Sequence, residues 1–357
     1  MDTHKSRFVA ALEHFWNGWA SGRKDIMLIA CGSATAWITN KLFKNKGGLF
    51  NRATRQIYLK PFTLAECQAY CDQASIRVNT HDLAMYYMIF GGVPYYLSLM
   101  DGRYSLPGNV DRLCFRERGK LTQEFDELFQ SIFDDPEKYV RMVRTISQKK
   151  KGLTRDEILR NAKIANGGNV TRILGELEAS GFVRSYAPFG KNKNGKLYQM
   201  SDPFLLFYLD HMGRNHGDAE YWGKFMGSPG YYAWAGYAFE QLCLAHVPQI
   251  SRALGIGGVI VNSVAWRSNQ IAGGTQIDLL LDRNDNVINI CEMKYASDEY
   301  AISSKYETEL RHKCSLFRDE THTRKAIHLT MVTTYGVKPD ARAGIVHSQV
   351  TLRDIVG

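Results

Sequence analysis

Paired cysteines are missing from this 357-residue chain. Its seven cysteines (Cys31, Cys67, Cys71, Cys114, Cys243, Cys291 and Cys314) are odd in number and scattered, with no CxxC pair. That pattern argues against a disulfide framework or a zinc site and fits a reducing, cytoplasmic setting. No stretch reaches about 18 uninterrupted apolar residues, so no membrane span is expected. The opening residues 1–19 lack the basic, apolar, small-residue order of a signal peptide. Repeats and low-complexity tracts are also missing. A surplus of acid is absent too: 45 Lys and Arg against 36 Asp and Glu give a net charge of +9. A basic chain favours an acidic partner, of which nucleic acid is the commonest. What is present is an ordinary 45% hydrophobic content and a length suited to roughly two to three domains.

Four stretches differ in pattern. In residues 1–62, Phe8, Leu12, Phe15 and Trp19 share a helical face. The apolar run Ile26–Cys31 reads as a buried, parallel strand, and Gln56–Leu59 as a second strand stopped by Pro61. Residues 63–136 read as helices broken at Gly91-Gly92-Val93-Pro94 and at Asp101-Gly102. Residues 137–202 read as three helices and a two-stranded hairpin: 137–149, a helix after Thr154 whose capping box is completed by Glu157, and Val170–Ala179 capped by Asn169. Strands at 182–186 and 197–200 follow. This order is that of a winged helix-turn-helix. Residues 203–357 read as a helix at 231–247, strands at 258–266, 276–281 and 287–293, a helix at 304–318 and a strand at 326–334. The αβββαβ order is that of a restriction-endonuclease-like core.

Within that last stretch, Glu292 and Lys294 alternate onto one face of their strand. The Asp- and Asn-rich segment 282–286 reads as a turn. A hairpin centred near Asp285 sets Asp278 opposite Glu292. Two carboxylates suit Mg²⁺ or Mn²⁺, hard ions that prefer oxygen ligands. A bound ion polarises a phosphodiester and acidifies water, and a lysine beside it offsets transition-state charge. Glu240, in the preceding helix, supplies a further carboxylate. These residues resemble the PD-(D/E)xK nuclease superfamily, with Ile277 where that pattern often has proline. The resemblance implies metal ligation by Asp278, Glu292 and Glu240, and catalysis by these three with Lys294. Ile288 and Ile290 share the face of Glu292, so its carboxylate needs a partner or a metal.

Residues 137–200 hold 14 Lys and Arg against 5 Asp and Glu, an excess of +9 equal to that of the whole chain. The excess is therefore localised here. Asn169, Thr171 and Arg172 lie at the start of the third helix, where a recognition helix meets bases, and Lys191, Lys193 and Lys196 lie in the wing loop, suited to phosphates of double-stranded DNA. Gly190-KNKN-Gly195-Lys196 mimics a phosphate loop, but Leu197 replaces the hydroxyl residue and no helix follows.

The phrases IMLIACGSATAWI, GGLFNRATRQIYLKPFTLAE and GGVPYYL resemble archaeal-type AAA+ ATPases of the STAND-like group, which place an ATPase domain before a winged helix and a nuclease-like domain. The resemblance implies a multidomain α/β plus α chain: a partial AAA+ core over 1–62, a helical lid over 63–136, the winged helix over 137–202 and the nuclease-like domain over 203–357. It makes Ser33 the sensor residue of its strand and Arg52 or Arg55 the nucleotide-facing arginine beside the next. No Walker A or Walker B segment precedes them, and only 25 residues precede Ile26. ATP hydrolysis is therefore not expected of this chain, unless self-association or a partner chain supplies the nucleotide-binding half. The expectation is a DNA-binding protein with a Mg²⁺-dependent nuclease-like site. The alternative is a non-catalytic fragment of an ATP-dependent switch that uses both modules for binding.

Overall fold

The computed structural model describes residues 6–32, 38, 49, 52–190, 196–214, 217–268, 270 and 274–357. The first stretch departs from its expected form. Helix α1 (Phe8–Gly18) is present, but Phe8, Phe15 and Trp19 on its apolar face are exposed. Ile26–Cys31 and Gln56–Leu59 form no strand, and Met27, Ile29, Ile57 and Leu59 lie open to solvent. A strand is completed by a neighbour, and these runs pair with no described residue, so apolar composition alone does not make them β.

From Thr63 onward the local signals work as chemistry requires. Thr63 and Glu66 form a capping box that starts α2 (Leu64–Gln73). The Asn79 side chain caps α3 (Thr80–Phe90). Gly91, at φ +67°, ends α3 in a conformation that favours glycine. Gly92 is required for a different reason: a Cβ there would lie 1.9 Å from the Phe62 carbonyl oxygen. Pro94 then opens α4 (Pro94–Ser98), and α5 (Leu106–Cys114) and α6 (Glu124–Ile132) follow.

The next group holds α7 (Pro136–Ser147), α8 (Arg155–Ala162) and α9 (Gly168–Ala179). The capping box of Thr154 and Glu157 is formed. Asn169 does not cap α9, which begins one residue earlier behind Gly167; its Oδ1 instead accepts from Arg172 Nη2 at 2.8 Å. A short strand β1 (Leu153–Thr154) joins the hairpin β2 (Val183–Tyr186) and β3 (Leu197–Met200) in the antiparallel order β1-β3-β2. Two residues are too few for a periodic signal, which is why β1 is silent in the sequence.

Helices α10 (Pro203–Asp210), α11 (Tyr221–Phe225), α12 (Pro229–Ala245) and α13 (Val247–Ala253) lead into a five-stranded sheet. Its strands are β4 (Val261–Arg267), β5 (Gln276–Arg283), β6 (Val287–Lys294), β7 (Ala326–Thr333) and β8 (Ser348–Thr351), in that spatial order. β4, β5 and β6 are antiparallel; β6, β7 and β8 are parallel, with α14 (Ser304–Thr321) crossing between β6 and β7. The last helix, α15 (Leu352–Val356), packs against α2, α3 and α13.

The fold is mixed α/β. One hydrophobic cluster runs from Leu64 to Ile355 and gathers side chains from the segments 63–136, 137–202 and 203–357 alike. His246 pins two of them together: its Nε2 accepts from the Leu64 backbone N–H at 2.9 Å, while Nδ1 faces the Leu242 carbonyl. A second cluster fills the space between the sheet and α14, with Leu280, Ile288, Ile290, Leu310 and Phe317. No described helix is long and apolar enough to cross a membrane.

Candidate active site

The β5–β6 hairpin turns through Asn284, Asp285 and Asn286, and Asn286 takes φ +64°, a left-handed conformation that asparagine tolerates. Pairing runs from Asp282↔Ile288 to Leu279↔Cys291. The same register carried one step further sets Asp278 against Glu292, as the turn position requires. Side chains alternate along β6. Cys291 and Met293 enter the large core, whereas Ile288 and Ile290 enter the cluster under α14. Glu292 and Lys294 continue that second face.

Four residues singled out from the sequence meet here. Glu240 from α12, Asp278 from β5, and Glu292 and Lys294 from β6 line one cavity of about 410 Å³. Glu292 is buried, and both its oxygens are occupied. Oε2 accepts from the Tyr306 hydroxyl at 2.8 Å, and Oε1 pairs with Lys313 Nζ. Lys294 Nζ lies 4.7 Å from the centre of the Tyr306 ring. Asp278 Oδ1 accepts from Gln276 Nε2 at 2.7 Å. Burial pushes the Glu240 carboxyl up to about 7; Asp278 and Glu292 push it the same way, and Lys294 and Lys151 oppose them.

That shift has a sign. A carboxyl whose folded pKa exceeds its unfolded value destabilises the fold as pH rises between the two, here from about 4.5 to about 7. Glu240→Gln is expected to raise stability at pH 8 by up to about 3 kcal/mol and to leave it unchanged near pH 4. Urea unfolding at the two pH values measures this; equal effects at both would place the carboxylate in bulk-like water.

Lys313 and Tyr306 are the residues that sequence reasoning missed. The signal existed: along Ser304–Thr321, Tyr306, Leu310, Lys313 and Phe317 recur at helical spacing, so a lysine sits within the apolar stripe of α14. Such a lysine needs an anion, and the buried Glu292 is that anion.

The donor chemistry fits a hard divalent cation, since three carboxylates line one cavity. The side chains are not pre-converged, however: no group of three potential ligands forms a metal site among the described residues. Release of Glu292 by Lys313 would free the missing oxygen.

The other expected residues fall elsewhere. Asn169, Thr171 and Arg172 are exposed near the start of α9, but Arg172 is also bound by Glu176 at 2.8 Å and by the Tyr139 hydroxyl at 3.1 Å. Lys196 Nζ lies 3.3 Å from Glu178. Lys191, Lys193 and Ser33 fall outside the described residues. Arg52 and Arg55 are exposed, and the strand expected beside them is not formed.

No protein-family model matches the sequence, and no curated protein matches it. Among solved structures, the chain is similar to a Walker-type ATPase of Pyrococcus abyssi, at 15% identity and a TM-score of 0.42. The similarity covers 59% of this chain, which spans 59% of that ATPase. At that distance the comparison assigns no residue a role.

Proposed function

We propose that this chain binds DNA and cleaves phosphodiesters at the cavity lined by Glu240, Asp278, Glu292 and Lys294, with Mg²⁺ or Mn²⁺. The observation that carries the reading is the convergence of four residues, chosen for their chemistry and scattered over 55 positions of sequence, on one cavity at the end of the β5–β6 hairpin. When bound, the cation supplies charge for the phosphate oxygens and lowers the pKa of water. The chain's own residues do the rest. Asp278, Glu292 and Glu240 offer the oxygens, and Lys294, held over Tyr306, keeps a positive charge beside the reacting phosphate.

The helices α7–α9 with β1–β3 are read as a winged helix that holds DNA through its basic excess. Reversing the charge of Lys191, Lys193 and Lys196 together is expected to weaken DNA retention in a mobility shift. It should also flatten the dependence of log K on log salt by up to about 2.7, at roughly 0.9 per lost phosphate contact. A shift that survives the reversal removes the wing loop from the interface.

A second reading has one observation in its favour: both oxygens of Glu292 are already taken by Tyr306 and Lys313. On that reading the site is catalytically silent, and the fold serves only to bind. Plasmid nicking with Mg²⁺ or Mn²⁺, by the chain and by its Asp278→Ala and Lys294→Ala variants, separates the two.

A further inference from the structure

A second cavity, of about 580 Å³, opens beside the first, and Lys151, Glu240 and Asp278 line both. It lies between the hairpin β2–β3 on one side and α12 with β4 and β5 on the other. Two polar groups there have unmet demands. Arg184 on β2 is a partly buried guanidinium, and burial pulls its pKa below the ordinary arginine value. It forms no ion pair among the described residues, although Asp278 and Glu240, on the same cavity, act on it through their charge. Only neutral amide oxygens hold it: Nε and Nη2 donate to Gln199 Oε1 at 3.0 and 2.8 Å, and Nη2 donates to Gln241 Oε1 at 2.5 Å. Gln241 is 4% exposed, and its Nε2 has no hydrogen-bond partner. A guanidinium hydrogen-bonded only to amide oxygens and a buried amide without an acceptor both leave donors that an oxyanion can take.

The rest of the wall suits the remainder of a nucleotide. Tyr186 and Tyr232 line the cavity, and Tyr232 is half exposed. Lys150 Nζ stands 4.6 Å from the centre of the Tyr237 ring. Exposed aromatic faces stack unpaired bases regardless of sequence, and cations beside them hold the backbone. The volume falls within the roughly 300–1,000 Å³ of small-molecule pockets, which takes one nucleotide and not a duplex.

We propose that this cavity is a subsite for a single unpaired nucleotide adjoining the reacting phosphate. Arg184 and Gln241 hold its phosphate, and Tyr232 or Tyr186 stacks its base. The substrate class is then DNA with an unpaired nucleotide, single-stranded or locally melted, with the base out of its stack. The assignment rests on the nuclease reading for its orientation, but not for its binding chemistry.

Fluorescence anisotropy of a labelled twelve-residue oligothymidylate, in EDTA, tests it without cleavage. Wild-type protein is expected to bind this strand, and its affinity for a blunt duplex of equal length, held by the winged helix, is expected to stay unchanged in the variants that follow. Tyr232→Ala should cost about tenfold in Kd, within the roughly 1–3 kcal/mol of one base stack, and Tyr232→Phe should restore it. Arg184→Lys keeps the charge but loses the fork, and is expected to weaken binding similarly. Unchanged affinity for the strand in Tyr232→Ala and Arg184→Lys, or an equal loss of affinity for the blunt duplex, overturns the subsite. Plasmid nicking by the same proteins separates the two ideas. If cleavage depends on Asp278 while these affinities stay unchanged, the subsite fails and the nuclease reading stands. If no cleavage occurs but strand binding falls in Tyr232→Ala, the nuclease reading fails and the subsite stands.

Discussion

Asp278→Ala is expected to lower Mg²⁺- or Mn²⁺-dependent plasmid nicking by a factor of about 100–1,000, the scale typical of losing one preorganised group at a centre of developing charge. The argument is one of position. Of the three carboxylates on the cavity, Asp278 is the one carried by the strand opposite Glu292, and it also lines the cavity beside Arg184. Lys294→Ala should cause a comparable loss in rate: of the two other lysines on the cavity, Lys313 is committed to Glu292, and Lys151 comes from the segment before β1 and not from the hairpin. Neither change should unfold the protein, since both side chains lie at the cavity and only partly within the core. Nicking that persists at the wild-type level in both variants would come from a contaminant and would sink the cleavage reading.

The largest effect on stability is expected at Lys313. In Lys313→Ala the Glu292 carboxylate keeps the Tyr306 hydroxyl but loses its cation, in a site where its side chain is 9% exposed. Removing one partner of a buried ion pair costs about 3–5 kcal/mol, because the other charge is left uncompensated. The double change Glu292→Gln with Lys313→Met should recover most of that loss, since no charge then remains buried. Chemical unfolding of the three variants measures this. A divalent cation gives a further arm. If Glu292 is a metal ligand freed by loss of Lys313, Mn²⁺ at 100 times the Kd of Lys313→Ala should stabilise that variant by about 2.7 kcal/mol and wild type by less. Equal metal shifts in both proteins would mean that Glu292 does not ligate.

The C-terminal sheet was legible because its signals are local. Ile288, Ile290 and Glu292 alternate with residues of the other face, Asn286 accepts a left-handed turn, and together they set the register that brings Asp278 to Glu292. The same reasoning failed at Ile26–Cys31 and Gln56–Leu59, where equally apolar runs form no strand. A strand depends on a neighbour whose position no local pattern encodes. β1 and β8 were silent for the converse reason: they are short, and pairing alone defines them. The helices at 203–210 and 247–253 were passed over, although Pro203 and Pro248 stand in their first turns. Of the site, four carboxylate or amine positions could be read from type and spacing. The helical spacing of α14 does show that Lys313 needs an anion, but not that Glu292 supplies it, since Tyr306 and Lys313 are 14 and 21 residues downstream. Arg184 gave no warning either, because an arginine on a short hairpin strand such as β2 reads as a solvent-facing cation until the helix opposite is known to cover it.

The placement of α15 has a consequence for synthesis. Its side chains, Leu352 and Ile355, complete a core that Leu64 begins, and the helix rests on α2 and α3, some 280 residues earlier. As the chain leaves the ribosome at roughly 5–20 residues per second, α2 and α3 wait on the order of 15–60 seconds for this partner. Their buried faces stay open meanwhile, and contacts so distant in sequence form slowly in any case. This part of the core therefore closes only after Leu352 and Ile355 have emerged.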